Sequence, residues 1–356
     1  MKILVISIAG IGDCLIASPM IKQLKKSYPN SRIDVFVMWE QAKKLLENNP
    51  YISKIYQFNM PEKGYIKSLL FTNKLRKENF DISINTHPQS KIQYRITARL
   101  INAKTRISHL YDNKNWLDRF LVNKTLEQDY NINSIDNNLK LLELLNIKPD
   151  YKEDYEIFLS KEDKKKADEF IKRNELKGRL IGFHVGSGST KNLKLKRWPV
   201  ENYISLIKLI LKNKQARILL FGGDDEEAEN NKIFREVNDK GVIIVKTNNI
   251  RQSAAIIGKC SLFISVDSVL MHIAAAMKVK QIVIAGPTYD KCVEPKRKPT
   301  VISARLECAP CYRYDGKGVN CLRKEFRKCL REIRPKMVYA ELEKILENKK
   351  NDSLFR

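Results

Sequence analysis

No stretch of the chain approaches the roughly eighteen apolar residues that a membrane-spanning helix requires, and Met1-Lys-Ile-Leu-Val-Ile6 runs straight into a glycine turn. Neither a membrane span nor a secretory leader is expected, which predicts a cytosolic protein. The spacings of RNA-recognition, helix-turn-helix and zinc-finger modules are missing too, which argues against a dedicated nucleic-acid reader. There is no internal repeat of solenoid period. No pair of carboxylates is spaced to hold a catalytic divalent cation, so no catalytic cofactor is expected. Acidic residues are scarce beside basic ones: 41 Asp and Glu face 66 Lys and Arg, for a net charge of +25. Such a surface seeks anionic partners, whether phosphorylated substrates or an acidic bilayer face.

What is present is a strict alternation of strands and helices. At 356 residues the chain is too long for one ordinary core and suits two domains. Residues 2–8 read as a continuous apolar strand, 9–13 as a small-residue turn and 14–26 as a helix, the opening unit of a doubly wound α/β sheet. Leu15 stands where the dinucleotide fingerprint needs its third glycine, so a nicotinamide or flavin site is not expected. Strands over 32–38, 55–58, 80–85 and 105–108 alternate with helices over 40–48, 65–77, 94–100 and 135–145. The polar stretch 111–133 reads as a mobile substrate loop. A charged helix over 161–174 leads into a second series, with strands at 179–184, 216–221, 241–245, 261–266 and 281–285. Two Rossmann-like domains, 1–165 and 166–335, are expected to face each other across a cleft. The helix and tail at 336–356 are expected to pack back towards the first.

The chemistry concentrates at Asp267-Ser-Val-Leu-Met-His272, between a buried strand and an apolar helix. A strand that turns into a helix leaves the first N–H groups without helical partners, at the positive end of the dipole, and so forms an anion socket. Gly286-Pro-Thr288 closes the next strand, at the carboxyl edge of the same sheet, where open parallel sheets bind ligands. The plainer alternative is that Asp267 and Ser268 only cap the helix.

Several separated motifs together resemble one family, the bacterial heptosyltransferases of glycosyltransferase family 9. They are Gly12-Asp13, Lys196-Arg-Trp-Pro199, Gly222-Gly223 with Glu226, Asp267-Ser268 with His272, Gly286-Pro-Thr288, and Cys308-Ala-Pro-Cys311 with Cys321 and Cys329. The resemblance implies a GT-B fold and inverting transfer of a heptose from an ADP-activated donor to a hydroxyl of a lipopolysaccharide core. It also implies that Asp13 is the general base and that Lys196 contacts the phosphates. Glu226 would accept hydrogen bonds from ribose, while Asp267, Ser268 and His272 line the diphosphate and sugar. Gly12, Ser187, Val269, Gly286 and Thr288 complete the implied donor site. Val269 departs from the family pattern, which usually has glycine there, and a β-branched residue tolerates positive φ poorly.

Each residue also has a purely structural reading. Asp13 could cap its helix, Lys196 could be one more solvated lysine beside Lys191 and Lys194, Glu226 could complement a helix dipole, and His272 could be a core histidine. His87 and His184 are cleft-lining candidates without an assigned role. Another nucleotide sugar, a protein Ser or Thr acceptor, and a non-catalytic scaffold remain as alternative functions.

Seven cysteines in a cytosolic chain are expected to be reduced thiols or metal ligands. Cys308-x-x-Cys311 can bring two thiolates to one tetrahedral metal, with Cys321 and Cys329 spaced less typically. A subgroup similar to the family carries a four-cysteine iron site, so structural Zn or Fe is weighed against buried reduced thiols. Around them lie Lys296, Arg297, Lys298, Arg305, Arg313, Lys317, Arg323, Lys324, Arg327, Lys328, Arg331 and Arg334. That density suits peripheral contact with the anionic cytoplasmic face of the inner membrane, where a phosphorylated lipid-linked acceptor would sit.

Overall fold

Lys2–Ser7 is buried along nearly its whole length, as expected of a strand covered by helices on both faces, and it starts the first sheet. The computed structural model describes residues 1–188, 192–213, 216–289, 291–312 and 318–352, with side chains to 347. The first unit runs from Met1 to Ser160 and contains β1 (Lys2–Ser7), β2 (Arg32–Val37), β3 (Lys54–Gln57), β4 (Ile82–Asn85), β5 (Thr105–Leu110) and β6 (Lys124–Glu127). Their order is β3-β2-β1-β4-β5-β6, all parallel. The second unit begins at Lys161 and holds β7 (Arg179–His184), β8 (Ala216–Phe221), β9 (Val242–Ile244), β10 (Leu262–Val266), β11 (Gln281–Ala285) and β12 (Thr300–Ser303). Its order is β12-β11-β10-β7-β8-β9, again parallel throughout.

Counted from its own first strand, each sheet therefore has the order 3-2-1-4-5-6. In that order the sense in which successive strands are added switches between strands 1 and 4, and the two connections leave on opposite faces. A crevice opens there at the carboxyl ends. In the first unit this point lies between β1 and β4, where Ile6 pairs with Asn85. In the second it lies between β7 and β10, where His184 pairs with Ser265.

Three expectations are corrected. The helix expected over 14–26 is two helices, Ile11–Ile16 and Ser18–Ser27, that meet at Ala17; Pro19 sits in the first turn of the second, where its missing N–H costs nothing. The stretch read as a mobile loop contains the short helix Asp118–Leu121 and β6, and Asp118 is tied to Arg95 by an ion pair of 2.5 Å with both groups buried. The units divide between Ser160 and Lys161, just before the charged helix Lys161–Arg173. Finally, the C-terminal helix Pro335–Asp352 joins the second unit, where Val338, Leu342 and Leu346 enter the core with Ile207, Ile210 and Leu220. Among the described residues no helix is long and apolar enough to cross a membrane.

Candidate active site

At the switch point of the second sheet, His184 ends β7 and Ser268 follows β10. The His184 Nδ1 and Ser268 Oγ share a hydrogen bond of 2.9 Å. Ser268 occupies the N-cap of helix Val269–Ala276 without a side-chain capping bond, so its hydroxyl serves the histidine instead of the helix. The simple capping reading fails for this residue. On the other side of the ring, His184 Nε2 lies 3.9 Å from Glu226 Oε2, beyond hydrogen-bond length.

Glu226 is held firmly. It ends a short 3-10 turn after β8 and accepts from the Gly223 N–H at 3.0 Å and from Arg197 at 2.9 Å. Burial alone would raise its pKa. His184, the Gly223 N–H and Arg197 outweigh that and hold the carboxyl below its usual value. Gly186 lets this carboxylate in, because a Cβ there would stand 2.1 Å from the Glu226 Cγ and Oε1. Arg197 also donates to the Ser187 carbonyl at 2.8 Å and to Glu229 at 2.8 Å. Ser187, itself buried, donates to the Leu193 carbonyl at 2.8 Å.

The neighbouring residue in sequence, Lys196, also turns inward. Only 7% of it is exposed, and its Nζ donates to Asp267 Oδ2 at 2.9 Å. The Thr288 hydroxyl donates to the same oxygen at 2.7 Å. Burial would raise the Asp267 pKa, but Lys196, Thr288 and His272 hold it below the ordinary aspartate value. His272 is buried on the same helix and its pKa falls to about 4: burial dominates, the Asp267 charge opposes it, and Lys196 adds to it. The cluster thus places Lys196 beside an ionised carboxylate and a neutral imidazole at a helix N-terminus. Ammonium and first-turn N–H groups are the donors that grip phosphate oxygens.

Ser187, Lys196, Glu226, Asp267, Ser268, His272 and Thr288 therefore come together on one sheet edge, with His184 as the link between Ser268 and Glu226. Lys196 is neither a solvated lysine nor a freely mobile one. Val269 is the first residue of its helix and is not among the residues with positive φ, so the strain expected of a β-branched side chain does not arise. Gly286 closes β11 against Leu330, whose Cδ2 would lie 2.8 Å from a Cβ, so that glycine serves packing. The sequence reading missed Arg197. It stands in a run of cations, and nothing in their spacing tells which one is buried.

Gly12 and Asp13 belong to the first unit, on helix Ile11–Ile16 after β1. One carboxylate oxygen of Asp13 accepts the Gly10 N–H at 2.6 Å, so the capping reading holds for that oxygen. The Asp13 charge is felt by Tyr94, whose pKa is raised first by burial and then by this carboxylate. At the same sheet edge the Thr86 hydroxyl donates to Ser7 Oγ at 3.0 Å. His87, a lining candidate in the sequence, is fully buried, stacks on Tyr111 with ring centroids 5.9 Å apart, and has its pKa pushed well down by burial and by His109.

All seven cysteines are free thiols, and Cys308, Cys311, Cys321 and Cys329 are partly exposed rather than buried. The Cys329 thiol is raised by burial and by its three neighbours, so the four sulfurs lie near one another. Even so, among the described residues no three His, Cys, Asp or Glu are placed to hold a metal ion. A structural Zn or Fe at these thiols therefore gains no support from the described residues. In the surrounding basic stretch, Lys328 is paired with Glu325 and Glu332, and Arg327 donates to the Arg197 carbonyl. Arg313 and Lys317 lie outside the described residues.

Solved heptosyltransferase structures share this pair of parallel sheets, and the fold is of the GT-B class. One is that of E. coli ADP-heptose LPS heptosyltransferase II, at a TM-score of 0.75 and 20% identity, covering 98% of this chain and all (100%) of that one. The family is settled by sequence: the chain belongs to glycosyltransferase family 9 (heptosyltransferase), whose model matches residues 69–318. Lipopolysaccharide heptosyltransferase 3 of Escherichia coli K12 is 28% identical over 287 residues, 78% of this chain and 80% of that protein. Lipooligosaccharide heptosyltransferase 2 of Haemophilus influenzae is 26% identical over 366 residues, 97% of this chain and 99% of that protein. The protein is a glycosyltransferase.

Proposed function

We propose that the protein transfers a heptose from ADP-heptose to a hydroxyl of a lipopolysaccharide or lipooligosaccharide core, with inversion at the anomeric carbon. The observation that carries this reading is the buried Lys196–Asp267–Thr288 cluster beside the start of helix Val269–Ala276. It is a preorganised site for a diphosphate. Lys196 and the first-turn N–H groups meet the charge that grows on the leaving ADP, where fixed donors in a dry site act most strongly. Glu226, ionised and locked by Arg197, has oxygens suited to accept from ribose hydroxyls.

Asp13 is the proposed base. As the acceptor oxygen bonds to the anomeric carbon, its proton passes to the Asp13 carboxylate, and the bond to the diphosphate oxygen breaks on the opposite face. One carboxylate suffices for an inverting displacement. The named activities of the curated relatives support the donor and acceptor classes. A lipid-linked, phosphorylated acceptor would bring the enzyme to the cytoplasmic face of the inner membrane. Val269, the sequence hint of a different donor, sits in ordinary helix geometry and gives that reading no support.

The test pairs calorimetry with product mass. ADP-heptose is expected to bind more tightly than UDP-sugars, and Asp13→Asn to keep that binding while losing turnover by about 100-fold or more. Preference for a UDP-sugar, or full turnover by Asp13→Asn, would overturn the proposal.

A further inference from the structure

The helix Tyr65–Arg76 is apolar on two opposite sides. At 100° per residue, residues 68, 71, 72 and 75 share one face, and residues 65, 66, 69, 70 and 73 share the other. The first face is used by the core: Thr72 and Leu75 are buried, and Phe71 stacks on Phe58 with ring centroids 4.4 Å apart. The second is not used at all. Tyr65 is 96% exposed, Ile66 79%, Leu70 65% and Leu69 56%. Scattered exposed leucines need no explanation, but a whole helix face of them does.

Exposed apolar side chains recur on the next two helices. Helix Ile92–Ile101 packs beside Tyr65–Arg76 and exposes Ile96 and Leu100, and helix Asp118–Leu121 packs beside that, with Phe120 64% exposed. Trp116, just before it, is 81% exposed. Local disorder does not account for these rings. The buried ion pair between Arg95 and Asp118 anchors the residue between them, and Asp118 also accepts from the Asn115 N–H at 3.0 Å. A segment pinned inwards at Asp118 presents Trp116 and Phe120 outwards. The Arg99 guanidinium lies over the Phe120 ring at 5.3 Å.

The charges around this surface are cationic. Lys67, Lys74, Arg76 and Arg119 are exposed on the same helices. Of the acids in the flanking segments, Glu62 is engaged with Lys63 and Glu127 with Lys114, and the exposed Asp112 is outnumbered by these four cations. Aliphatic side chains between a Trp and a Tyr, rimmed by unneutralised cations, are the composition of a surface that lies in the interface of an anionic bilayer.

We propose that helices Tyr65–Arg76, Ile92–Ile101 and Asp118–Leu121, with Trp116, form a docking surface for anionic lipid. This deepens the functional reading above, since it says where the enzyme meets the membrane that carries its acceptor. Ile66, Leu69, Leu70, Trp116 and Phe120 enter the headgroup region, and Lys67, Lys74 and Arg119 meet the phosphates.

The test is flotation of the full chain with phosphatidylcholine vesicles, with and without phosphatidylglycerol. The wild type is expected to float only with the anionic vesicles and to show a blue shift of Trp fluorescence that Trp116→Phe removes. Ile66→Ser/Leu70→Ser and Trp116→Ser/Phe120→Ser keep every charge, and each is expected to weaken binding about tenfold or more. Their thermal midpoints should match the wild type, because the side chains are already in water. Three results would each overturn the proposal. One is binding indifferent to phosphatidylglycerol. Another is binding lost with Arg323→Glu/Lys324→Glu but kept by both apolar variants. The third is sedimentation that shows the surface covered by a second copy. Transfer to a lipid-free core fragment should be unaffected by the apolar variants. If the wild type itself gave no such transfer, the reaction proposal would fail while the vesicle result stood.

Discussion

Lys196 shows how little of a buried charge is visible in a sequence. Lys191, Lys194 and Lys196 are chemically equivalent there, yet Lys196 is the one tied to Asp267 within a buried network. Removing one partner of such a pair leaves the other ionised and uncompensated. Lys196→Ala is accordingly expected to cost about 3 kcal/mol in urea unfolding, and adding Asp267→Asn to restore most of it. Neither variant should bind ADP well, since both lack the ammonium. Recovery of ADP affinity in the double variant, read by calorimetry, would mean that the pair is structural only. The Asp267–Ser268 turn, by contrast, was legible in advance. A buried strand followed by a polar turn and an apolar helix implies unsatisfied N–H groups whatever the family. Arg197 was not legible, because a guanidinium that bridges Glu226, Glu229 and Ser187 depends on three loops meeting.

Among the elements, the central strands were easy to read, and of the four edge strands β3 and β9 were read while β6 and β12 were missed. Strands covered on both faces become continuous apolar runs, which is why β1, β7, β8, β10 and β11 fell within a residue or two of their expected limits. β6 and β12 lie at sheet edges, half-exposed, and their sequences Lys124–Glu127 and Thr300–Ser303 carry no such run. In the proposed function the nucleotide meets Glu226, which the loop after β7 admits at Gly186. Gly186→Ala would drive a methyl into Glu226 and displace it from the Gly223 N–H. We expect ADP affinity to fall about tenfold, with a stability loss of about 1–3 kcal/mol from overpacking. Unchanged affinity in a calorimetric titration would show that Glu226 does not meet the nucleotide.

For the molecule as a whole, three of the four histidines lie buried with lowered pKa values: His87, His109 at about 4, and His272 at about 4. Burial is the leading cause in each case. A histidine whose folded pKa is lowered stays neutral while its unfolded form, near 6.5, already binds a proton. The unfolded state then takes up more protons, and stability falls as pH drops from about 6.5 towards 4. At pH 5 the loss should be about 2 kcal/mol for each of His109 and His272 relative to pH 7. The depressed Asp267 and Glu226 act in the same direction, contributing stability above the unfolded carboxylate range and losing it as pH falls through their folded values. Urea midpoints at pH 7 and pH 5 measure this, and His109→Gln should flatten the slope. A midpoint that did not move would mean that these rings can reach water.

The pairing of Lys196 with Asp267 also bears on how a donor reaches the site. Opposite charges 2.9 Å apart form a dipole, and its field fades within a few ångströms. On the proposed function, a nucleotide sugar in solution is drawn in by the diffuse positive field of a chain with 25 excess cations, which attracts any polyanion alike. Only after arrival can it compete with the aspartate for the ammonium. Capture is thus sensitive to ionic strength and indifferent to identity, whereas choosing between molecules is left to contact.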